Sequence, residues 1–147
     1  MIELEKILDE WRTDCQIGAY LDKASEETPK LHAKYLDMLS QSKLKLKRVR
    51  SKQKILLKEK WLYYNGKMDE ETLKEKGWKP DPFNGLKILK GEMDYYYDSD
   101  PEIQEYEQLE EYWKTVIETL HEIVENIKWR HQTIGNMIKW RQFEAGV

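Results

Sequence analysis

The chain has 147 residues, 36% of them charged and 39% hydrophobic, with seven Gly, four Pro and a single Cys. That is enough for one domain with a modest core, and the shortage of turn residues favours long solvent-washed helices over a compact α/β enzyme. The lone Cys15 excludes an internal disulfide, no apolar run reaches the ~18 residues of a membrane span, and the net charge of −3 on its face opposes a nucleic-acid partner.

Residues 1 to 14 place Ile2, Leu4, Ile7, Leu8 and Trp11 at helical spacing and predict a short amphipathic helix. Its opening residues, Met1-Ile2-Glu3-Leu4-Glu5, lack the positive charge and apolar run of a secretory leader, and an unpaired thiol suits a reducing compartment, so a cytoplasmic protein is expected. Residues 15 to 27 read as a connection. Thr28-Pro29 then supplies an N-cap and a first-turn proline, and the apolar pattern runs from there to Tyr64, where Asn65-Gly66 stops it. A helix over 28–64 spans roughly 55 Å.

On that helix Leu31, Tyr35, Met38, Leu39, Leu46, Val49, Leu56 and Leu57 share one face, softened by Ser42, Gln53 and Lys60. Lys43, Lys47, Arg50, Lys54, Lys58 and Trp61 form a second stripe, and Lys45, Arg48 and Lys52 a third sector. The middle of the helix is therefore basic around most of its circumference and cannot be buried on all sides.

Residues 66–100 are broken by Gly66, Gly77, Pro80, Pro82, Asn84-Gly85 and Gly91. They predict at most short helices near 70–76 and 85–92, with Trp78 and Tyr95-Tyr96-Tyr97 available to dock the segment by aromatic burial. Asp100-Pro101 repeats the cap-plus-proline signal. After it Ile103, Tyr106, Leu109, Trp113, Val116, Ile117, Leu120, Ile123, Val124, Ile127, His131, Ile134 and Ile138 keep a 3–4 spacing, which predicts a helix over 101–144 that Gly135 need not end. The expected architecture is mainly α: a short N-terminal helix and two long amphipathic helices packed as a hairpin or coiled-coil-like unit in a single domain, 1–147. A hairpin leaves apolar surface uncovered. Homo-oligomerisation is therefore expected, driven by the last helix through Leu109, Trp113, Val116, Leu120, Val124, Ile127, Ile134 and Ile138.

The charge is sorted along the chain. Between Lys43 and Lys60 nine basic residues face Glu59 alone, a local +8 in 18 residues; the rest carries 16 basic and 27 acidic residues, or −11. So little acid inside the run rules out intrahelical Glu–Lys pairing as its purpose, and self-repulsion calls for an anion. The run ends in Trp61, Tyr63 and Tyr64. Lysines that track phosphates beside rings that stack on unpaired bases suit a single strand, whereas a duplex hides its base faces. The competing reading is a solvated helix face whose aromatics close the hydrophobic end of the helix. A membrane-surface helix ranks lower, because lysines surround the helix instead of flanking a broad apolar face. The stretch Glu92–Glu111 has nine Asp/Glu and no Lys/Arg. It reads as a solvated, dipole-favoured helix start or as a docking site for a basic partner.

No phosphate-binding Gly loop, Cys pair or His-x-x-x-His spacing occurs. His131 falls on the apolar face of the last helix and reads as a packed core histidine. Neither enzyme activity nor a cofactor or metal is expected.

Three blocks carry a resemblance to a family. Leu57-Lys58-Glu59-Lys60-Trp61-Leu62-Tyr63-Tyr64-Asn65-Gly66-Lys67 resembles the basic-aromatic-glycine motif of the UvsY recombination mediators of T4-type phages. Leu89-Lys90-Gly91-Glu92-Met93-Asp94 with Asp98-Ser99-Asp100 is similar to the middle of marine and cyanobacterial phage versions, and Trp140–Val147 to that family's ending. The resemblance implies a mediator that helps a RecA-like recombinase displace single-strand-binding protein from single-stranded DNA. It also implies a ring-shaped homo-oligomer, heptameric, in the cytoplasm of an infected bacterium.

The family's two DNA-binding basic residues correspond to Lys58 and Lys60. The second is arginine in the T4 form, and lysine keeps the charge but loses the planar fork; Glu59 between them weakens the local positive potential. Residues two apart on a helix point about 200° apart. Lys58 therefore lies on the basic stripe and Lys60 on the apolar side, and both meet one strand only if the helix ends nearby or subunit packing makes a groove on each side. The expected contacts are Lys43, Lys47, Arg50, Lys54, Lys58 and Lys60 to phosphates and Trp61, Tyr63 and Tyr64 to bases. The alternative is a helical scaffold or adaptor that binds an acidic protein or an anionic membrane surface.

Overall fold

Among the described residues all regular structure is helical: α1 Ile2–Asp14, α2 Leu21–Tyr64, α3 Glu70–Lys76, a single 3-10 turn Lys90–Glu92, α4 Met93–Asp98, α5 Pro101–Lys128 and α6 Arg130–Glu144. The computed structural model describes residues 2–147 and side chains from Glu3 onward, so the Ile2 side chain in the expected apolar pattern lies outside the described residues. The chain forms two compact units, residues 1–45 with 112–147 and residues 46–111. Both α2 and α5 contribute to each.

The first unit buries Ile7, Tyr35, Leu39, Val116, Leu120, Ile123, Val124 and Ile127 in one cluster, edged by Leu4, Trp11, Leu31, Met38, Tyr112, Trp113 and Ile117. Tyr35 is fully enclosed. Its hydroxyl donates to Asp14 Oδ2 (2.8 Å), and the same carboxylate accepts from Lys34 Nζ (2.6 Å), so its polar tip is satisfied. A second cluster joins Leu21 and Ala24 to Ile134, with Ile17 and Met137 beside it.

That second cluster explains why α2 starts at Leu21 and not at Thr28. Leu21 and Ala24 gain burial only if residues 21–27 are helical, and this packing outweighs the start signal at Thr28-Pro29. Pro29 thus sits inside the helix, and Thr28 Oγ1 donates to the Ala24 carbonyl (2.9 Å) instead of capping. At its other end α2 stops as expected: Gly66 takes φ +67, and the Lys67 and Gly66 N–H groups return to the Leu62 and Tyr63 carbonyls (2.8 and 3.2 Å).

The last helix is not continuous. Trp129 (φ −91, ψ −2) donates its N–H to Asn126 three residues back (3.1 Å), and this tightened turn separates α5 from α6. The shift in register puts Arg130 and Ile134 on the buried side of α6. His131, expected in the core, is exposed; its Nδ1 lies 2.9 Å from the Lys128 carbonyl and its ring stacks on Trp129. The chain's own interior also takes Val116, Leu120, Val124, Ile127 and Ile134, five of the eight residues expected to drive assembly. Leu109 and Trp113 are half-buried, and Ile138 is exposed.

In the second unit Arg50 Nε pairs with Glu110 (3.1 Å) and Lys60 Nζ with Asp100 (3.0 Å). Residue numbers rise on α2 as they fall on α5, so the two helices run antiparallel there. The expected helix near 70–76 is α3, capped by Asp69 and ended by Gly77 at φ +69. The one expected near 85–92 lies later, at 90–98, which puts all three tyrosines of 95–97 on a helix. Among the described residues no helix is long and apolar enough to cross a membrane.

Candidate nucleic-acid interface

The exposed side of α2 is built by its period. Within the second unit Lys47, Lys54 and Lys58 are exposed at seven- and four-residue intervals, a spacing that keeps them on one stripe. None has a carboxylate partner among the described residues. Lys43, on the part of α2 in the first unit, is likewise exposed and unpaired. Arg50 is partly neutralised by Glu110. Lys45, in the first unit, pairs with Glu3 (3.6 Å) and lies over the Trp113 ring (4.7 Å). Glu59 does not leave a bare negative charge in the motif, because Lys76 on α3 pairs with it at 2.8 Å.

Trp61 ends the stripe with 46% of its surface exposed, and Lys67 Nζ sits 4.6 Å from its ring centre. The two tyrosines of the motif are placed differently. Tyr63 is buried against Tyr64 and Trp78, both at 5.1 Å. Tyr64 packs among Phe83, Tyr96 and Tyr97. These rings dock residues 78–97 onto the end of α2, as aromatic burial predicts. Tyr95, in contrast, is 75% exposed.

Lys60 faces inward. It is 4% exposed, with Nζ 3.0 Å from Asp100 Oδ2, 3.4 Å from Glu102 Oε1 and 3.9 Å from the centre of the Trp78 ring. Trp78 Nε1 donates to Glu102 Oε1 (2.7 Å) and Tyr64 Oη to Asp100 Oδ2 (2.6 Å). Asp100 Oδ1 meanwhile accepts the Glu102 and Ile103 N–H groups (2.9 and 3.1 Å), which makes it the N-cap read from Asp100-Pro101. Burial pushes the Asp100 carboxyl up, but hydrogen bonds from Tyr64, Lys60 and the Ile103 N–H outweigh it and hold the group below its ordinary value. Burial and the Asp100 hydrogen bond raise the Tyr64 phenol.

The structure therefore separates the residues that the sequence grouped. Lys43, Lys47, Lys54, Lys58 and Trp61 are presented to solvent, and Arg50 is shared with Glu110. Lys60, Tyr63 and Tyr64 belong to the packing that closes α2 against the connection. The partners of Lys60, namely Asp100, Glu102 and Trp78, were not among the expected functional residues. Finding them needed the antiparallel register, which no local pattern carries.

The family model described as "Recombination, repair and ssDNA binding protein UvsY" matches residues 10–147. Crystal structures of the bacteriophage T4 recombination mediator protein UvsY share the fold. The lattice type II form aligns with TM-score 0.79 at 23% identity over 97% of each chain. The lattice type I form aligns with TM-score 0.79 at 21% identity over 95% of this chain and 98% of that one. No curated protein matches the chain by sequence.

Proposed function

The chain belongs to the UvsY family, and from that premise we propose that it binds single-stranded DNA as a recombination mediator, loading a RecA-like recombinase onto strands coated by single-strand-binding protein. The observation that carries this reading is the row of exposed, unpaired Lys47, Lys54 and Lys58 leading into the exposed ring of Trp61. Lysines supply sequence-independent phosphate contacts, and Trp61 offers a stacking face that only an unpaired base can use. Lys43 extends the phosphate contacts, and Arg50 adds to them in competition with Glu110. Lys60 serves by holding the motif in shape.

A mediator does no bond chemistry; its work is to hold a strand in a form the recombinase accepts, in the cytoplasm of an infected bacterium. Family membership supports assembly into a homo-oligomeric ring, a heptamer. The surface that suits it is the outer side of α6. There Trp140 and Phe143 are exposed, their rings stacked at 5.6 Å.

Fluorescence anisotropy of labelled single-stranded and duplex DNA across a salt series tests the reading. Tighter single-strand binding is expected, falling by about 0.7 log units per neutralised phosphate per log unit of salt. Absent or strand-indifferent binding would replace it with a helical scaffold or adaptor that binds an acidic protein or an anionic membrane surface.

A further inference from the structure

A groove of about 280 Å³ in the second unit is lined by Arg48, Val49 and Lys52 of α2 and by Glu105, Tyr106 and Leu109 of α5. Arg48 and Lys52 are one helical turn apart and both exposed, with no carboxylate partner among the described residues. Val49 is buried and Leu109 half-buried, so they give the groove an apolar floor. Tyr106 is half-buried and presents part of its ring. Two cations, an aromatic ring and an apolar floor within one small groove match the parts of one nucleotide: a phosphate, and a base with a flat apolar face.

We propose that this groove holds one nucleotide of the single strand, its phosphate on Arg48 and Lys52 and its base against Tyr106, Val49 and Leu109. The proposal rests on the single-strand reading above and extends it to a different sector of α2. Arg48 is about 100° from Lys47 around the helix, so a strand that occupies both surfaces curves around α2 instead of running along one side.

Glu105 sets the polarity of the site. Its carboxylate repels phosphate and accepts from an exocyclic amino group, as acidic side chains do from cytosine N4. Cytosine therefore fits better than thymine, which presents no amino group. The basic third sector thereby gains a role that a solvated helix face does not give it.

The test uses the full chain and oligonucleotides carrying 5-iododeoxycytidine, photo-crosslinked and mapped by mass spectrometry, beside salt series on Arg48→Gln/Lys52→Gln and Tyr106→Leu. The expected result is a crosslink on Tyr106 and a salt slope lowered by about 1.4 in the double variant, two phosphates at about 0.7 each. Tyr106→Leu should bind several-fold more weakly while Tyr106→Phe retains affinity, and oligo-dC should bind more tightly than oligo-dT. Tyr106→Phe and the two surface substitutions keep the packing, so a loss of fold in Tyr106→Leu does not decide the matter. Crosslinks confined to Trp61, with an unchanged slope in the double variant, would overturn the groove and leave the single-strand reading standing. No binding of any single strand by the unaltered chain would overturn both.

Discussion

The ammonium of Lys60 lies 3.0 Å from Asp100 Oδ2, while Oδ1 of the same carboxylate caps the first turn of α5. One side chain thus ties the end of the basic helix to the start of the next long helix, with Tyr64 and Trp78 closing the space around the pair. Within a motif whose neighbours Lys58 and Trp61 face solvent, this makes Lys60 a positioning residue.

Lys60→Met should therefore act on folding. Removing one partner of a buried ion pair typically costs about 3–5 kcal/mol. Asp100 keeps its Tyr64 and backbone donors, so the lower end, about 3 kcal/mol, is expected in urea unfolding followed by tryptophan fluorescence. The salt slope of single-strand binding should stay at the unaltered value wherever the variant is folded. A slope lowered by about 0.7 at unchanged stability would place the ammonium on a phosphate instead.

Lys58→Ala should do the reverse. The side chain is exposed and unpaired, so stability should move by no more than about 0.5 kcal/mol while the salt slope falls by about 0.7. Trp61→Leu should weaken binding to single strands by about 1–3 kcal/mol and leave any duplex binding unchanged. Anisotropy on both DNA forms reads the difference.

Acid should loosen the fold through two carboxylates. Burial raises Asp100 and Asp14, but hydrogen bonds from Tyr64 and Lys60 to the first, and from Lys34 and Tyr35 to the second, hold both below the ordinary 3.8. Because each carboxyl is more acidic folded than unfolded, its ionisation stabilises the fold above about pH 4 and that contribution is lost as pH falls through the lowered values. Urea midpoints measured from pH 6 to pH 2 should drop most steeply below pH 4. Asp100→Asn should start lower and show a shallower drop.

Pro29 is a cost that the packing of Leu21 and Ala24 has absorbed. It lies inside α2, where proline forfeits a backbone hydrogen bond and crowds the preceding turn. Pro29→Ala should raise stability by about 1–3 kcal/mol, seen as a higher Tm by circular dichroism with DNA affinity unchanged. A lower Tm would mean that the proline stabilises this segment of α2.

Replacing Trp140 and Phe143 with serine should lower the assembly state in sedimentation velocity without loss of helix content, since both rings are largely exposed. If the mass is unchanged, the outer side of α6 is not the contact between copies. Val124→Ala, by contrast, should act on folding, because Val124 lies in the interior of the first unit.

Local pattern along the chain is enough to set the helical class, the end of α2 at Asn65-Gly66, the cap at Asp100, and the split between an outward Lys58 and an inward Lys60. All of these are local, set by helical period, glycine's freedom at positive φ and a carboxylate one residue before a proline. The rest follows from packing between segments distant in the chain. The same kind of cap-plus-proline signal starts a helix at Asp100 but not at Thr28, because only at residues 21–27 does an upstream turn bury Leu21 and Ala24 against Ile134. Periodicity placed Val116, Leu120 and Val124 on an apolar face without saying whether a second copy or the same chain covers it, and Tyr35 and Leu39 cover it from within. What Lys60 faces was likewise beyond local reading. Its charge is matched across a long stretch of chain by Asp100 and Glu102, a pairing fixed only when antiparallel helices set their register.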